Sequence, residues 1–384
     1  MRKPVTAVLC LTTAALALAG CGLTQSNSAG DGKIAVTSTD DGCNVSAAEA
    51  PSGNLSFAVK NDGSKVTEFY LYGSDGLRIV GEIENIGPGL SRDLVVTAGP
   101  GSYITSCRPG MKGEGIRSDF KVTDSGKDVQ ITGVDQATIN QAVASYTAYV
   151  RDQTSQLVDQ TTEFVNLYTA GKDDEARALF PVARQHWERV EPVAESFGDL
   201  DPKTDAREAD LEPGQKWTGW HRIEKDLWPP ASGYTALTPA QRKVYANDLL
   251  ANVKTLDKRV QTLKLTVDQI GNGSKGLLDE VASGKITGEE DIWSHTDLYD
   301  FQANVDGARV AYEDLKPILD VKNKSLSDTI QQRFSQLQAL LDKYRDGDGF
   351  VFYDKVTEAQ RKELSDAVNA LSEPLSKMTG AITL

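Results

Sequence analysis

The sequence predicts two domains, an N-terminal antiparallel β-sandwich followed by an all-α helical bundle. Three observations carry this reading. The apolar spacing has a period of two over residues 33–133 and a helical period over residues 136–384. Turn signals rich in Gly, Pro and Asn punctuate the first region at intervals suited to a small sandwich. A length of 384 residues also exceeds what one core ordinarily supports.

Residues 1–20 read as an export signal. Arg2 and Lys3 precede an apolar run over residues 5–19, too short and Ala-rich for a membrane span. The run ends in Leu18-Ala19-Gly20-Cys21, which looks like a bacterial lipobox, with cleavage before Cys21 and lipidation of that residue. An ordinary signal peptide that happens to contain a cysteine is the plainer alternative. Residues 21–32, rich in Gly, Ser and Asn, read as a flexible stalk.

In the first domain, Leu55, Phe57 and Val59 alternate, as do Phe120, Val122, Val129 and Ile131. The turns Asn61-Asp62-Gly63, Ser74-Asp75-Gly76, Gly87-Pro88-Gly89 and Gly99-Pro100-Gly101 lie between. About seven strands fit such a stretch.

After Asp135, Ile139, Val143, Tyr146, Val150, Leu157, Phe164 and Tyr168 share one helical face. Thr238-Pro239 starts another helix. Its seam of Leu249, Val253, Leu256, Val260, Leu263, Val267 and Ile270 is predicted to run on until Gly271. Further helices are predicted near residues 172–198, where Pro181 and Pro192 should kink or interrupt the chain, and near 296–317, 323–345 and 357–379.

The 55 Asp and Glu outweigh the 41 Lys and Arg, for a net charge of −14. A nucleic-acid partner is excluded, because phosphate backbones require a basic face, and cations are favoured. Of four cysteines, Cys10 leaves with the leader and Cys21 would carry lipid, so Cys43 and Cys107 remain. Outside the cytoplasm such a pair forms a disulfide or, alternatively, two metal-ligating thiolates. The sequence leaves both open.

All three histidines, His186, His221 and His295, fall in the helical region. His221 and Glu224 stand at i,i+3 and share a helix face, as do Glu188 and Glu191. On facing helices, two such pairs would assemble the carboxylate and imidazole cluster with which helical bundles hold iron or manganese. Neighbouring Arg189, Arg222 and Lys225 admit ordinary solvated ion pairs instead. His186 lies on a different face from Glu188 and Glu191, and His295 could cap a helix or support the site indirectly. The segment around Asp346-Gly347-Asp348-Gly349 does not fit a calcium loop, since Tyr344 and Lys355 would occupy positions that need acids, and it reads as a turn.

Three strings carry a family resemblance: Glu188-Arg189-Val190-Glu191-Pro192-Val193-Ala194-Glu195-Ser196-Phe197-Gly198-Asp199-Leu200-Asp201-Pro202, His221-Arg222-Ile223-Glu224-Lys225, and Ser294-His295-Thr296-Asp297-Leu298-Tyr299-Asp300-Phe301. They closely resemble the EfeO-type components of bacterial iron-uptake systems. The resemblance covers essentially the whole mature chain and implies a cupredoxin-like domain followed by an imelysin-like, peptidase-family helical domain. It places the H-x-x-E motif on His221 and Glu224 and adds Glu188, Glu191 and Asp205 as metal ligands. A second ligand set, Cys43, Glu68 and Cys107, is also implied, to which Met111 in the Cys107-Arg108-Pro109-Gly110-Met111 turn is a possible addition. With no histidine in residues 22–135, a blue-copper centre cannot form in the first domain.

The expected function is therefore a membrane-tethered extracytoplasmic lipoprotein that captures iron and passes it to a permease, without covalent chemistry of its own. The resemblance implies an EfeU-type iron permease and an EfeB-type haem peroxidase as partners, and copper, zinc or manganese at one of the sites remains compatible. A metallopeptidase is the first alternative, although H-E-x-x-H is missing. A polysaccharide-binding surface lipoprotein is the second, with Trp187, Trp217, Trp220 and Trp228 as stacking platforms.

Overall fold

The computed structural model describes residues 32–127 and 131–384. The leader, Cys21, stalk residues 21–31 and Val129 lie outside the described residues.

Among the described residues nine strands form the first domain: β1 (Ile34–Ser38), β2 (Cys43–Val45), β3 (Glu49–Pro51), β4 (Gly53–Asn61), β5 (Thr67–Gly73), β6 (Ile79–Ile86), β7 (Ser91–Ala98), β8 (Gly101–Cys107) and β9 (Ile116–Thr123). They make two sheets, ordered β2-β1-β4-β7 and β3-β9-β8-β5-β6. The sandwich agrees with the sequence, but two short strands are additional and two pairings are parallel. Ile34 stands opposite Phe57 where β1 runs along β4, and Glu49 stands opposite Lys121 where β3 runs along β9. Between the sheets Phe57 packs its ring 5.2 Å from Phe69 and 5.5 Å from Phe120. Strand β5 shows no alternation because all of its residues are buried. Phe69 and Leu71 enter the sandwich core, while Tyr70 and Tyr72 stack on each other and carry Arg108 and Arg117 over their rings.

The helical domain begins with α1 (Gln136–Thr169), whose first turn is capped by the Asp135 carboxylate accepting from Ala137 N. Then follow α2 (Asp173–Glu188), α3 (Glu191–Glu195), α4 (Asp201–Thr204), α5 (Trp220–Leu227), α6 (Pro239–Val260), α7 (Val267–Ser283), α8 (Asp297–Leu341), the hairpin β10 (Arg345–Asp346) and β11 (Gly349–Phe350), α9 (Glu358–Leu375) and α10 (Met378–Thr383). The segment around Gly347 is thus a helix-connecting turn. Pro181 lies within α2, and the chain breaks at Val190, just before Pro192 enters the first turn of α3.

Two helical expectations need correction. The seam that starts at Leu249 does not continue to Ile270 in one helix. It ends at Val260, and α7 starts afresh with a capping box between Thr266 and Gln269. Gly271 does not stop this helix either. A Cβ there would lie 2.4 Å from Thr379 Oγ1, so the glycine lets α10 approach closely. The stretches predicted near 296–317 and 323–345 are both helical and meet within α8 at Asn323, which leaves the helical region (φ −156°, ψ 79°) and caps the second segment by accepting from Leu326 N.

The domains are docked through α7 and α10 against β4, β6 and β7. Asn272 donates to Val95 O at 2.8 Å, Asn85 to Asp279 O at 3.2 Å, and Asn54 to Thr383 O at 2.6 Å. Thr97 N donates to Asp268 Oδ2 at 2.8 Å. These bonds fix one face of the sandwich against the bundle and leave a polar cleft beside α3 and α4.

Candidate metal centre

The C-terminal turns of α2 bring Arg184 and Glu188 to one side of the bundle core, and the break at Val190 turns Glu191 back toward them. Asp205 follows α4, and α5 supplies His221 and Glu224 from the opposite side. Gly219 makes this approach possible. Its φ is 90°, and a Cβ there would sit 2.0 Å from Thr204 O, so only glycine lets the start of α5 lie against the residue before Asp205. The segment between α7 and α8 adds Lys285, Glu290 and Asp291, and the first turns of α8 add Asp297, Asp300 and Asn304.

The structure thus brings together Glu188, Glu191, Asp205, His221 and Glu224, all buried. Three triads have ligand atoms within 4.8 Å of one another: Asp205, His221 and Glu290; His221, Glu224 and Asp291; and Glu188, Glu191 and Asp205. His221 stands between the first two. Its Nε2 lies 3.3 Å from Glu290 Oε1 and 3.4 Å from Asp205 Oδ1, and its Nδ1 lies 2.9 Å from Glu224 Oε2. The other oxygen of Glu224 accepts from Trp293 N, Ser294 N and Ser294 Oγ at 3.0, 2.7 and 2.9 Å.

Two cations that spacing alone does not flag neutralise this nest. Arg184 has no exposed surface; it bonds Asp205 and Glu188, and lies 3.2 Å from Glu290 Oε1 and 3.3 Å from Asp300 Oδ2. Lys285 bridges Glu188 and Glu191. Asn304 donates to Glu188 O at 2.9 Å, closing the end of α2. The sequence signal for the missing acids is the run Glu289-Glu290-Asp291 followed by the i,i+3 pair Asp297 and Asp300.

Burial pushes the Glu188 carboxyl up to about 7 against the pull of Lys285 and Arg184, and raises Glu191 and Asp300 well above the carboxylate range. Burial also raises Glu290, but Lys285 and the bond from His221 overcome it and hold that group well below its usual value. Burial and Arg184 oppose a charge on His221, yet the bonds to Glu224 and Glu290 win and hold its pKa up at about 10. In chemical terms the cluster offers hard oxygen donors and one imidazole, a set suited to iron, manganese or zinc.

The other two histidines stand apart. His186 is buried and pairs its Nδ1 with Gln153 Oε1 at 2.8 Å, while His295, at a φ of 60°, precedes α8 without capping it. Trp187 and Trp220 have no exposed surface and Trp228 packs edge-on against Phe180, so these rings serve the core and not a sugar platform.

In the sandwich, Cys43 and Cys107 form a disulfide. Neither sulfur is then a thiolate, so the set of Cys43, Glu68, Cys107 and Met111 is not assembled as a soft-metal site. Glu68 instead accepts from Tyr70 Oη at 2.8 Å and lies 3.5 Å from Arg108, and Met111 lines the cleft between the domains. That cleft, of ≈ 620 Å³, runs from Glu68, Arg108 and Met111 on the sandwich to Glu191, Asp205 and Glu290 on the bundle. It connects the nest to the surface.

A sandwich docked on a helical bundle, with an H-x-x-E pair buried among acids, defines a cupredoxin-like and imelysin two-domain protein. Comparison with known proteins agrees: residues 142–378 match the imelysin family and residues 9–116 match the cupredoxin-like domain. The chain belongs to the EfeO family within that class. It is 36% identical to the iron uptake system component EfeO of Escherichia coli K12 over 365 residues, 94% of each chain, and equally to that of Shigella flexneri. It is 47% identical to an Efem/EfeO family lipoprotein of Staphylococcus haemolyticus over 261 residues, 66% of this chain and 89% of the relative.

Proposed function

We propose that this chain is an extracytoplasmic lipoprotein of an iron-uptake system, which binds iron in the bundle and delivers it to a membrane permease. The observation that carries the reading is the nest itself, in which His221 Nε2 faces Asp205 and Glu290 with Glu188 and Glu191 alongside. Iron is the cargo, and zinc or copper is compatible with the same donors. His221 Nε2, Asp205 and Glu290 form the ligand face. Glu224 holds the imidazole from behind, as carboxylates do for metal-bound histidines.

The names of the relatives support iron uptake and, for the staphylococcal protein, a lipoprotein. Cys21 is then the lipidated residue, residues 21–32 the stalk, and residues 33–133 and 136–384 the two working domains. In this reading the transfer step belongs to a separate permease, of EfeU type, with an EfeB-type haem peroxidase handling iron redox; among the described residues no helix is long and apolar enough to cross a membrane. The acidic cleft raises the local concentration of cations at the mouth of the nest.

Calorimetry with ferric and ferrous iron, copper and zinc tests the reading on the chain expressed from Gly22 and on its Glu188→Ala, His221→Ala double variant. Binding lost in a variant that keeps its helical circular dichroism supports it. Binding unchanged in the variant moves the site out of the bundle.

A further inference from the structure

The turn Lys285–Thr287 follows α7 and sends the Lys285 side chain into the nest, where it has no exposed surface. Its Nζ lies 3.1 Å from Glu188 Oε2 and 3.3 Å from Glu191 Oε2. Glu280 Oε2 and Glu290 Oε1 are further off, at 3.9 and 4.0 Å. A lysine is almost never removed this completely from water unless a counter-charge holds it. Here the counter-charges are oxygens that an entering cation would claim, since Glu188 and Glu191 form a donor triad with Asp205.

Arg184 and Lys285, two of the buried cations of the nest, differ in how they are held. The Arg184 fork is fixed from several sides, by Asp205, Glu188, Glu290 and Asp300, and cannot leave without stranding several carboxylates. Lys285 is a point charge on a flexible stem, and its turn is flanked by Gly284 and by Gly288. It also has somewhere to go. Glu280 is already within 3.9 Å, lines the interdomain cleft, and keeps 26% of its side chain exposed.

We propose that Lys285 is a tethered competitor of the cargo: its ammonium fills the gap between Glu188 and Glu191 in the metal-free protein, and an incoming metal ion displaces it toward Glu280. This rests on the reading of the nest as the metal centre. The ammonium keeps its proton throughout, and no bond is made or broken. The arrangement keeps the carboxylates charge-balanced when no cargo is bound. It also eases release, because the lysine returns to its seat as the metal departs.

The test uses the full-length protein, with ferric citrate or zinc as the probe. Lysine acetylation read by mass spectrometry follows the exposure of Lys285, with Lys275, buried against Asp279, as the internal control. Saturating metal should raise the labelling rate of Lys285 by about tenfold or more and leave Lys275 unchanged, because only the displaced ammonium reaches the cleft. Calorimetry of Lys285→Gln should show metal bound at least about tenfold more tightly, since a unit charge beside the metal has been removed. Glu280→Gln should bind more weakly than the parent. Metal that binds while Lys285 stays protected overturns the proposal, as does a folded Lys285→Gln with unchanged or weaker affinity. Should Lys285→Gln not fold, the labelling of the parent decides. Absence of any binding overturns the metal-centre reading itself, and this role of Lys285 with it.

Discussion

His221 Nδ1 faces Glu224 Oε2 at 2.9 Å, and the other oxygen of Glu224 is taken by Ser294 and the backbone of Trp293. The carboxylate is therefore fully engaged before any cation arrives. It fixes the imidazole so that Nε2 points at Asp205 and Glu290. On the proposed reading, the i,i+3 pair divides its labour between a ligand, His221, and a group that positions it, Glu224.

This division predicts different outcomes for two conservative substitutions. Glu224→Gln should weaken metal binding by about 10- to 100-fold, the usual loss when an orienting partner is altered, while the spectrum of a cobalt-substituted protein stays unchanged. Glu290→Gln should change that spectrum, because a ligand is replaced. Calorimetry and visible absorption on the two variants check both.

Arg184 should behave as the structural hub of the nest. Its removal leaves Glu188, Asp205 and Asp300 without their shared cation, and Arg184→Met is expected to cost about 3–5 kcal/mol, the range for breaking a buried ion pair from one side. Arg184→Lys should not restore the loss, because one ammonium cannot span the positions that the guanidinium fork reaches. Urea unfolding followed by circular dichroism measures both.

Much of this architecture is legible in the sequence, and the remainder is not for identifiable reasons. Glu188 and Glu191, and His221 and Glu224, announce themselves because each pair lies on one helix face. Lys285, Glu290 and Asp291 sit in the irregular segment between α7 and α8, where no period marks a buried side. A buried Arg184 or Lys285 also runs against the expectation that such residues meet solvent. The parallel pairing of β1 with β4 joins strands whose partner choice no local pattern records. The seam from Leu249 reads through the break at residues 261–266 because Leu263 and Leu265 still pack on the core, while the capping box at Thr266 marks the new start.

The domain interface should loosen as pH rises. Burial, followed by repulsion from Glu68, pushes Glu82 from 4.5 up to about 8, and burial with repulsion from Glu280 raises Glu84 further above its ordinary range. A carboxyl raised in the folded state gives stability that is complete below its unfolded value and lost as pH climbs through the folded one. The loss from Glu82 should therefore run from pH 4.5 to about 8, and Glu84 extends it upward. A Glu82→Gln, Glu84→Gln double variant should flatten the fall in melting temperature across that window, and scanning calorimetry at stepped pH reads it.

The Cys43–Cys107 bridge closes a loop of 64 residues between the two sheets. Chain-entropy reasoning gives about 4 kcal/mol for a loop of that size. Cys43→Ser, Cys107→Ser should lower stability by about that amount in denaturant titrations and leave metal binding in the bundle intact. Thiol titration of the unreduced, unfolded chain from Gly22 should find no free thiol.

The most direct measurement is anomalous diffraction at the iron edge from crystals of the iron-loaded protein. The account predicts a peak within bonding distance of His221 Nε2 and of the Asp205 and Glu290 carboxylates, with Glu224 still bonded to Nδ1. A peak beside Glu68 and Met111 on the sandwich, with none in the bundle, would contradict it.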